Sequence, residues 1–299
     1  MKEFHIGDLV TRKSYNGDIL FRICDILNVS GLKNYILRGV NVRIMADAPG
    51  DDLEPQPMTR MGELDEELSR QAEEMINKIL RERESQQSAR RRRRSRKKKC
   101  SDEFRGEEIF SKPGKVLHID GDREYLNICL DTYRQLNVNV AGVNVEEKEQ
   151  PVVVFDLLKT YTPDILVLTG HDGIIKHRND YNDLNSYRNS RYFVEAVKKA
   201  REFEPSLDDL VIFAGACQSH YEALIQAGAN YASSPKRVLI HALDPVFICE
   251  KIAYTSINDV VSPKDIISNT ITGISGIGGL QTRGKYRNGI PNVNYKLKS

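Results

Sequence analysis

Two stretches decide the fold: DILVLTGHDG at residues 164–173 and LVIFAGACQSH at residues 210–220. Each is a short, nearly continuous apolar run that stops at a glycine and then turns polar. A run of that length, bounded by turn residues, reads as a strand buried on both faces. Similar runs and helical patterns alternate around them. KVLHIDGD (115–122) is followed by the helical REYLNICLDTYRQL (123–136) and a short strand at NVAGV (139–143). FDLLKTY (155–161) leads into the first quoted strand and RYFVEAVKKARE (191–202) into the second. After HYEALIQAGA (220–229), the run KRVLIHAL (236–243) adds another strand. Apolar strands separated by helices predict an α/β fold with a mostly parallel sheet covered by helices on both faces. In such sheets ligands bind beyond the carboxyl ends of the strands, near a switch point.

Those ends carry the chemistry. His171 stands just past one strand and Cys217 just past the next. If the strands are neighbours, an imidazole and a thiol share one crevice, as nucleophilic catalysis by cysteine requires. Gly170, Gly173 and Gly215 free the chain to turn sharply and admit a substrate. Taken singly, a cysteine after a strand is more often an inert buried thiol, and a histidine in a GHDG turn more often caps a loop. Their equivalent positions in successive strand-helix units favour the catalytic reading. His220 falls on the helix after Cys217, and His241 sits inside an apolar run where a hydrogen-bonded core role is the simpler reading. His171, Asp172 and His177 match no strong zinc spacing.

Composition sets the outer limits. The chain has 299 residues, a net charge of +2 and enough apolar content for a sizeable core. Its opening lacks an apolar signal core, and no run is long enough to span a bilayer, so a cytoplasmic protein without membrane attachment is expected. Five cysteines without CxxC pairs argue against a disulfide framework or a zinc ribbon. From Phe4 to about Asp52, β-type runs (HIGDLVTRKS, DILFRICDIL, YILRGVNVRIMAD) alternate with glycine turns. They predict a small SH3-like all-β domain over residues 1–55.

Residues 56–111 read as an amphipathic helical arm and an Arg/Lys-rich linker. Met61, Leu64, Leu68, Ala72, Met75 and Ile79 recur at spacings of three and four, a stripe better suited to lying on a neighbouring domain than to a coiled coil. The arm runs into SARRRRRSRKKKC at residues 88–100. Clustered arginines bind phosphates without regard to sequence, but like charges also keep a linker extended, and an exposed extended segment suits a protease cutting after arginine. Composition alone weights the first two about equally and the third least.

The pairing of strand plus His-turn with strand plus Ala-Cys resembles the caspase-like peptidases of the gingipain, clostripain and legumain type. Here His-Asp-Gly replaces the usual His-Gly, so the oxyanion N–H comes from Asp172 or Gly173, together with Cys217. A closer resemblance covers nearly the whole chain. FHIGDLVTRKSY, PGKVLHIDGD, PDILVLTGHDG, DLNSYRNSRYFVEAV, LVIFAGACQSHYEALIQAGANYASSPKRV and IHALDPV, in that order, are similar to the YabG family of sporulation-specific cysteine proteases. The resemblance implies a caspase-like catalytic domain over residues 112–299 with His171 and Cys217 as its dyad. It also implies cleavage after arginine, action on spore coat and cortex-related proteins in the mother cell, and self-processing.

With that resemblance the basic run becomes a self-cleavage segment, with Arg90, Arg91, Arg92, Arg93, Arg94 and Arg96 as candidate cut sites. Arginine selection requires an acidic pocket pairing with a guanidinium. Asp120, Asp122 and Asp244 stand at strand ends, and Asp120 is favoured. His171 promotes the Cys217 thiolate, which forms a thioester that water hydrolyses; whether His171 acts mainly as base or as acid to the leaving amine stays open. No metal or organic cofactor is expected. The rival reading is a nucleic-acid or spore-surface binding protein using the β-barrel and the Arg run, although nucleic acid is the less favoured partner. An amidotransferase-like hydrolase is a weaker rival, because GACQSH lacks a glycine following the cysteine.

Overall fold

Alternation of apolar and polar residues builds the N-terminal sheet, as period-2 patterning requires when one face is buried. The computed structural model describes residues 3–29, 32–40, 42–97, 110–175, 178 and 180–289. Its first strands are β1 (Leu9–Arg12), β2 (Phe21–Val29), β3 (Leu32–Gly39), β4 (Met45–Pro49) and β5 (Leu53–Pro55). They form an antiparallel sheet in the order β4-β3-β2-β1-β5. Val10, Phe21, Ile23, Tyr35, Leu37, Ala46 and Ala48 fill its inner face.

The sequence reads residues 35–47 as one β run, but the structure breaks it. At Gly39 a Cβ would strike the Val42 carbonyl oxygen, so only glycine lets the chain pass so close. The Ile44 N–H donates to that carbonyl (2.8 Å) and the Gly39 N–H to the Ile44 carbonyl (2.8 Å). The β3 and β4 strands therefore end in a tight loop with Arg43 near its tip.

Helix α1 (Thr59–Lys97) follows. The later part of its stripe lies against the rest of the molecule, with Ala72, Ile76 and Ile79 buried and Met75 packed on the same core. The arginine run is not the extended linker expected from its charge, because the α1 backbone stays helical through Arg90, Arg91, Arg92, Arg93, Arg94 and Arg96. Arginine is a good helix former, and a helix already nucleated upstream extends at low cost. The side chains of residues 89–97 lie outside the described residues.

The remaining elements are β6 (Phe110–Lys112), β7 (Lys115–Asp120), α2 (Arg123–Gln135), β8 (Asn139–Asn144), α3 (Gln150–Tyr161), β9 (Ile165–Thr169), α4 (Ser190–Phe203), β10 (Val211–Ala214) and α5 (Tyr221–Gln226). After these come β11 (Tyr231–Ser233), α6 (Asp244–Tyr254), β12 (Val260–Val261), α7 (Pro263–Ile267), β13 (Ile277–Gly279), β14 (Thr282–Arg283) and β15 (Arg287–Gly289). The main sheet runs β13-β11-β10-β9-β7-β8, all parallel except β13. Because β8 and β9 flank β7, the winding reverses there, and the switch-point crevice opens beyond the ends of β7 and β9. Alternate residues face opposite layers. Leu117, Ile119, Leu166, Leu168 and Ile212 meet α3 and α4, whereas Val116, Val167, Val211 and Phe213 share a core with α2, α6, α1 and the N-terminal sheet.

KRVLIHAL is not a strand of this sheet. Ser234 and Arg237 take positive φ (58° and 56°), which breaks the extended run, and His241 instead bridges Val42. The sheet edge is completed by β13, from the glycine-rich segment GISGIGGLQTRG at residues 273–284. Among the described residues no helix is long and apolar enough to cross a membrane.

Candidate active site

The ends of β7 and β9 are held open by Glu147. Its buried carboxylate lies across Gly121 and Gly170, where a Cβ on either would strike it, and it accepts the His171 N–H (2.7 Å). This fixes the backbone that presents His171. The imidazole is fully buried, 5.5 Å from the Tyr125 ring centre, with Nδ1 3.8 Å from Asp122 Oδ2. Neither ring nitrogen has a hydrogen-bond partner. Burial, and then the positive charges of Arg38 and Arg43, push it down to about 3, so it is neutral at pH 7.

At the end of β10, Gly215 takes φ +107°, and a Cβ there would strike Ser233 Oγ. The turn places Cys217 in a buried position where Sγ accepts the Ile240 N–H (3.3 Å). Burial pushes the thiol up to about 12. The Asp172 carboxylate ties the two loops together. It accepts from the Gly173 N–H (2.8 Å), the Asn189 N–H (2.8 Å), the Ser219 hydroxyl (2.8 Å) and the Ser190 hydroxyl. Ser219 in turn accepts the Ala216 N–H (2.9 Å), next to the thiol.

The loop after β3 enters the gap between these turns. The Arg43 carbonyl accepts from both the Asp172 N–H and the Cys217 N–H, each at 3.3 Å. The Gly173 N–H is engaged by the Asp172 side chain, so of the two donors left open by sequence, Asp172 is the one that converges with Cys217. On either side of Arg43, Val42 bridges His241 antiparallel and Ile44 bridges Asp172 parallel. Met45 donates its N–H to the Asp172 carbonyl (2.8 Å). A Cβ at Gly173 would strike the Met45 carbonyl oxygen, so glycine is what lets this chain lie flat.

The Arg43 side chain is fully buried with Nη1 2.7 Å from Asp120 Oδ2. Its guanidinium stands 4.7 Å over the Tyr125 ring, and Nη2 is 3.5 Å from Cys129 Sγ. Strand alternation explains the acid's direction: Val116, His118 and Asp120 point toward α2, Leu117 and Ile119 away. Thr169 Oγ1 links His118 Nε2 (2.8 Å) to Asp120 Oδ2 (2.9 Å), and the Asp122 N–H donates to Oδ1 (2.9 Å). Burial pushes the Asp120 carboxyl up, but the Arg43 charge, His118 and the Asp122 N–H together outweigh it. The carboxyl is held well below the usual carboxylate range.

The Cys217 turn, the His171 turn and the Asp120 carboxylate thus meet around the loop that carries Arg43. The chain matches the YabG peptidase U57 family over residues 5–291. It belongs to that family. It is also 44% identical over 296 residues to the sporulation-specific protease YabG of Bacillus subtilis (strain 168), covering 97% of this chain and 98% of that protein. It is therefore a peptidase of the sporulation-specific YabG type.

Other predicted residues of this YabG-family peptidase have different places. Asp122 caps α2, accepting from the Glu124 and Tyr125 N–H groups, and pairs with Arg38 (3.2 Å). Asp244 is buried at the start of α6, where it accepts the Ile271 N–H (2.7 Å) and holds the adjoining turn. His220 caps α5, accepting from Ala223, and lies tilted against Tyr187 with ring centres 5.1 Å apart. His241 lines the wall beside Val42 rather than a strand interior, and its Nδ1 accepts the Leu243 N–H (3.1 Å). His177 and Cys100 lie outside the described residues. Sequence reasoning missed Arg43, Glu147, Tyr125, Cys129 and the Asp172 side chain. The one available signal was a lone arginine inside the apolar run GVNVRIMA.

Proposed function

We propose that this peptidase is a cysteine endopeptidase that cuts after arginine, with Cys217 as nucleophile, His171 as proton carrier and Asp120 as the specificity acid. One observation carries the reading: the Arg43 carbonyl rests on the Asp172 and Cys217 N–H groups while its guanidinium sits on Asp120. A peptide carbonyl held by two converging N–H groups is positioned for oxyanion stabilisation. A buried carboxylate favours a cationic side chain, and Tyr125 adds an aromatic face that suits a guanidinium.

The ring nitrogens of His171 stay free of hydrogen bonds while a chain fills the cleft. That supports a proton path from the thiol to the imidazole and on to the leaving amine, with the substrate between the two side chains. Cys217 attacks the carbonyl carbon to give a thioester, and water then releases the acid. The finer fold reading has similar support. His171 and Cys217 follow the third and fourth strands of an α/β unit in which the second and third flank the first, which favours a caspase-like domain. The order β5-β1-β2-β3-β4, with a 3-10 turn at Gly50–Asp52 before the last strand, favours an SH3-like barrel.

The substrates are spore coat and cortex-related proteins in the mother cell, a reading supported by the sporulation-specific relative. The arginines at 90–94 and 96 serve as self-cleavage targets once the end of α1 unwinds, since a cleft takes extended chain. The test is labelling of the full chain by a peptidyl-arginyl acyloxymethyl ketone followed by peptide mapping. The adduct belongs on Cys217 and drops sharply in Asp120→Asn. An adduct confined to Cys24, Cys100, Cys129 or Cys249, or undiminished labelling of Asp120→Asn, would contradict the assignment.

A further inference from the structure

We propose that the peptide bond between Arg43 and Ile44 is cut by the chain's own active site, in cis, making the loop between β3 and β4 a self-cleavage site. The inference rests on the reading of Cys217, His171 and Asp120 given above. Three separate features of the loop converge on it. The carbonyl of this bond takes both N–H groups at the turns. The side chain preceding the bond fills the acidic pocket. The backbone on both sides is bridged to the cleft walls, through His241 before the bond and Asp172 after it. A loop that merely packed in the crevice would need none of these to coincide. Gly39 and Gly173 supply the room, each at a position where a Cβ would strike the entering segment.

The chemistry balances with water as the only co-reactant. The Cys217 thiolate attacks the Arg43 carbonyl carbon, and the C–N bond to Ile44 breaks as the S–C bond is established. The proton taken from the thiol passes from His171 to the Ile44 nitrogen, which leaves as a free amine after releasing its hydrogen bond to Val42. Water then splits the thioester, leaving a carboxylate on Arg43 and the thiol on Cys217. Until this bond is broken, the loop fills the cleft that any other substrate needs. The arginines of α1 are a separate matter, because Arg43 is the one already seated.

Intact mass over time, at several protein dilutions, tests the proposal on the full chain beside Cys217→Ala, Arg43→Gln and Ile44→Pro. Wild type should separate into residues 1–43 and 44–299 with a rate constant independent of concentration. Cys217→Ala should stay whole at this bond even with a trace of wild type added. Arg43→Gln should be slower by about 10²-fold or more, as expected when a group built for charged pairing loses its partner. Ile44→Pro blocks the cut but also removes the N–H given to Val42, so the decisive comparison is Cys217→Ala, which keeps both Arg43 and Ile44 in place. Wild type that cuts an arginyl peptide yet keeps this bond intact overturns the self-cleavage site and leaves the protease reading standing. Wild type that cuts neither overturns both. Cutting of Cys217→Ala at this bond by added wild type overturns the cis assignment.

Discussion

The neutral state of His171 has a consequence for stability. Its folded value is lowered to about 3 by burial and by Arg38 and Arg43, whereas an unfolded histidine titrates near its ordinary value of 6.5. Between these values the unfolded chain binds a proton that the folded chain refuses, so stability falls as pH drops through that window. At pH 5 the loss is about 2 kcal/mol. Denaturant unfolding at pH 7 and pH 5 should show this loss in wild type and not in His171→Gln; equal losses in both would contradict it. At Asp120 the issue is charge balance. Asp120→Asn removes the partner of a buried guanidinium, a loss of about 3–5 kcal/mol for such pairs. Cleavage after arginine should fall by about 10²-fold or more, with little change for a neutral residue at the same position. The placement of His171 and Cys217 just past two strands was legible because glycines stop two apolar runs at equivalent points. Arg43 was not, because its pocket is assembled from β7 and α2, far away in sequence.

Among the elements, α1 shows where local rules compete. Charge repulsion argued for an extended run, yet helix propensity and an anchored upstream stripe carry the helix to Lys97. Its anchor is specific. Arg83 Nη2 is 2.7 Å from Glu250 Oε1, Nη1 donates to the Leu136 carbonyl (2.9 Å), and the guanidinium stands 3.7 Å over Tyr254. Burial raises the Glu250 carboxyl, and Arg83 opposes that rise. Arg83→Ala leaves this acid buried without its cation, so urea denaturation should show about 3 kcal/mol less stability. A change below about 0.5 kcal/mol, the range of ordinary surface substitutions, would mean that α1 is not anchored there. The strand-helix alternation of the parallel sheet was readable because each strand is buried on both faces. The antiparallel edge strand β13 was not, since its glycine-rich run carries no apolar period.

At the scale of the whole molecule, one apolar cluster runs from the N-terminal sheet through α1 to α2, α6 and the near face of the parallel sheet. The expected boundaries at residues 55 and 111 therefore mark changes of composition, while packing continues across them. This continuity lets a loop of the β domain reach the switch point, and the ion pair between Arg188 and Asp47 helps fix β4 there. Sequence patterning gave each layer its type but could not give the seam between them, which depends on shape rather than on period.

The most direct measurement is the initial rate on a matched peptide series, with arginine, lysine or glutamine before the scissile bond, for wild type, Cys217→Ala and Asp120→Asn. Wild type should prefer arginine, Cys217→Ala should lose at least about 10³-fold in rate, and Asp120→Asn should lose the preference. Arginyl hydrolysis by Cys217→Ala at the wild-type rate would contradict the account at its centre.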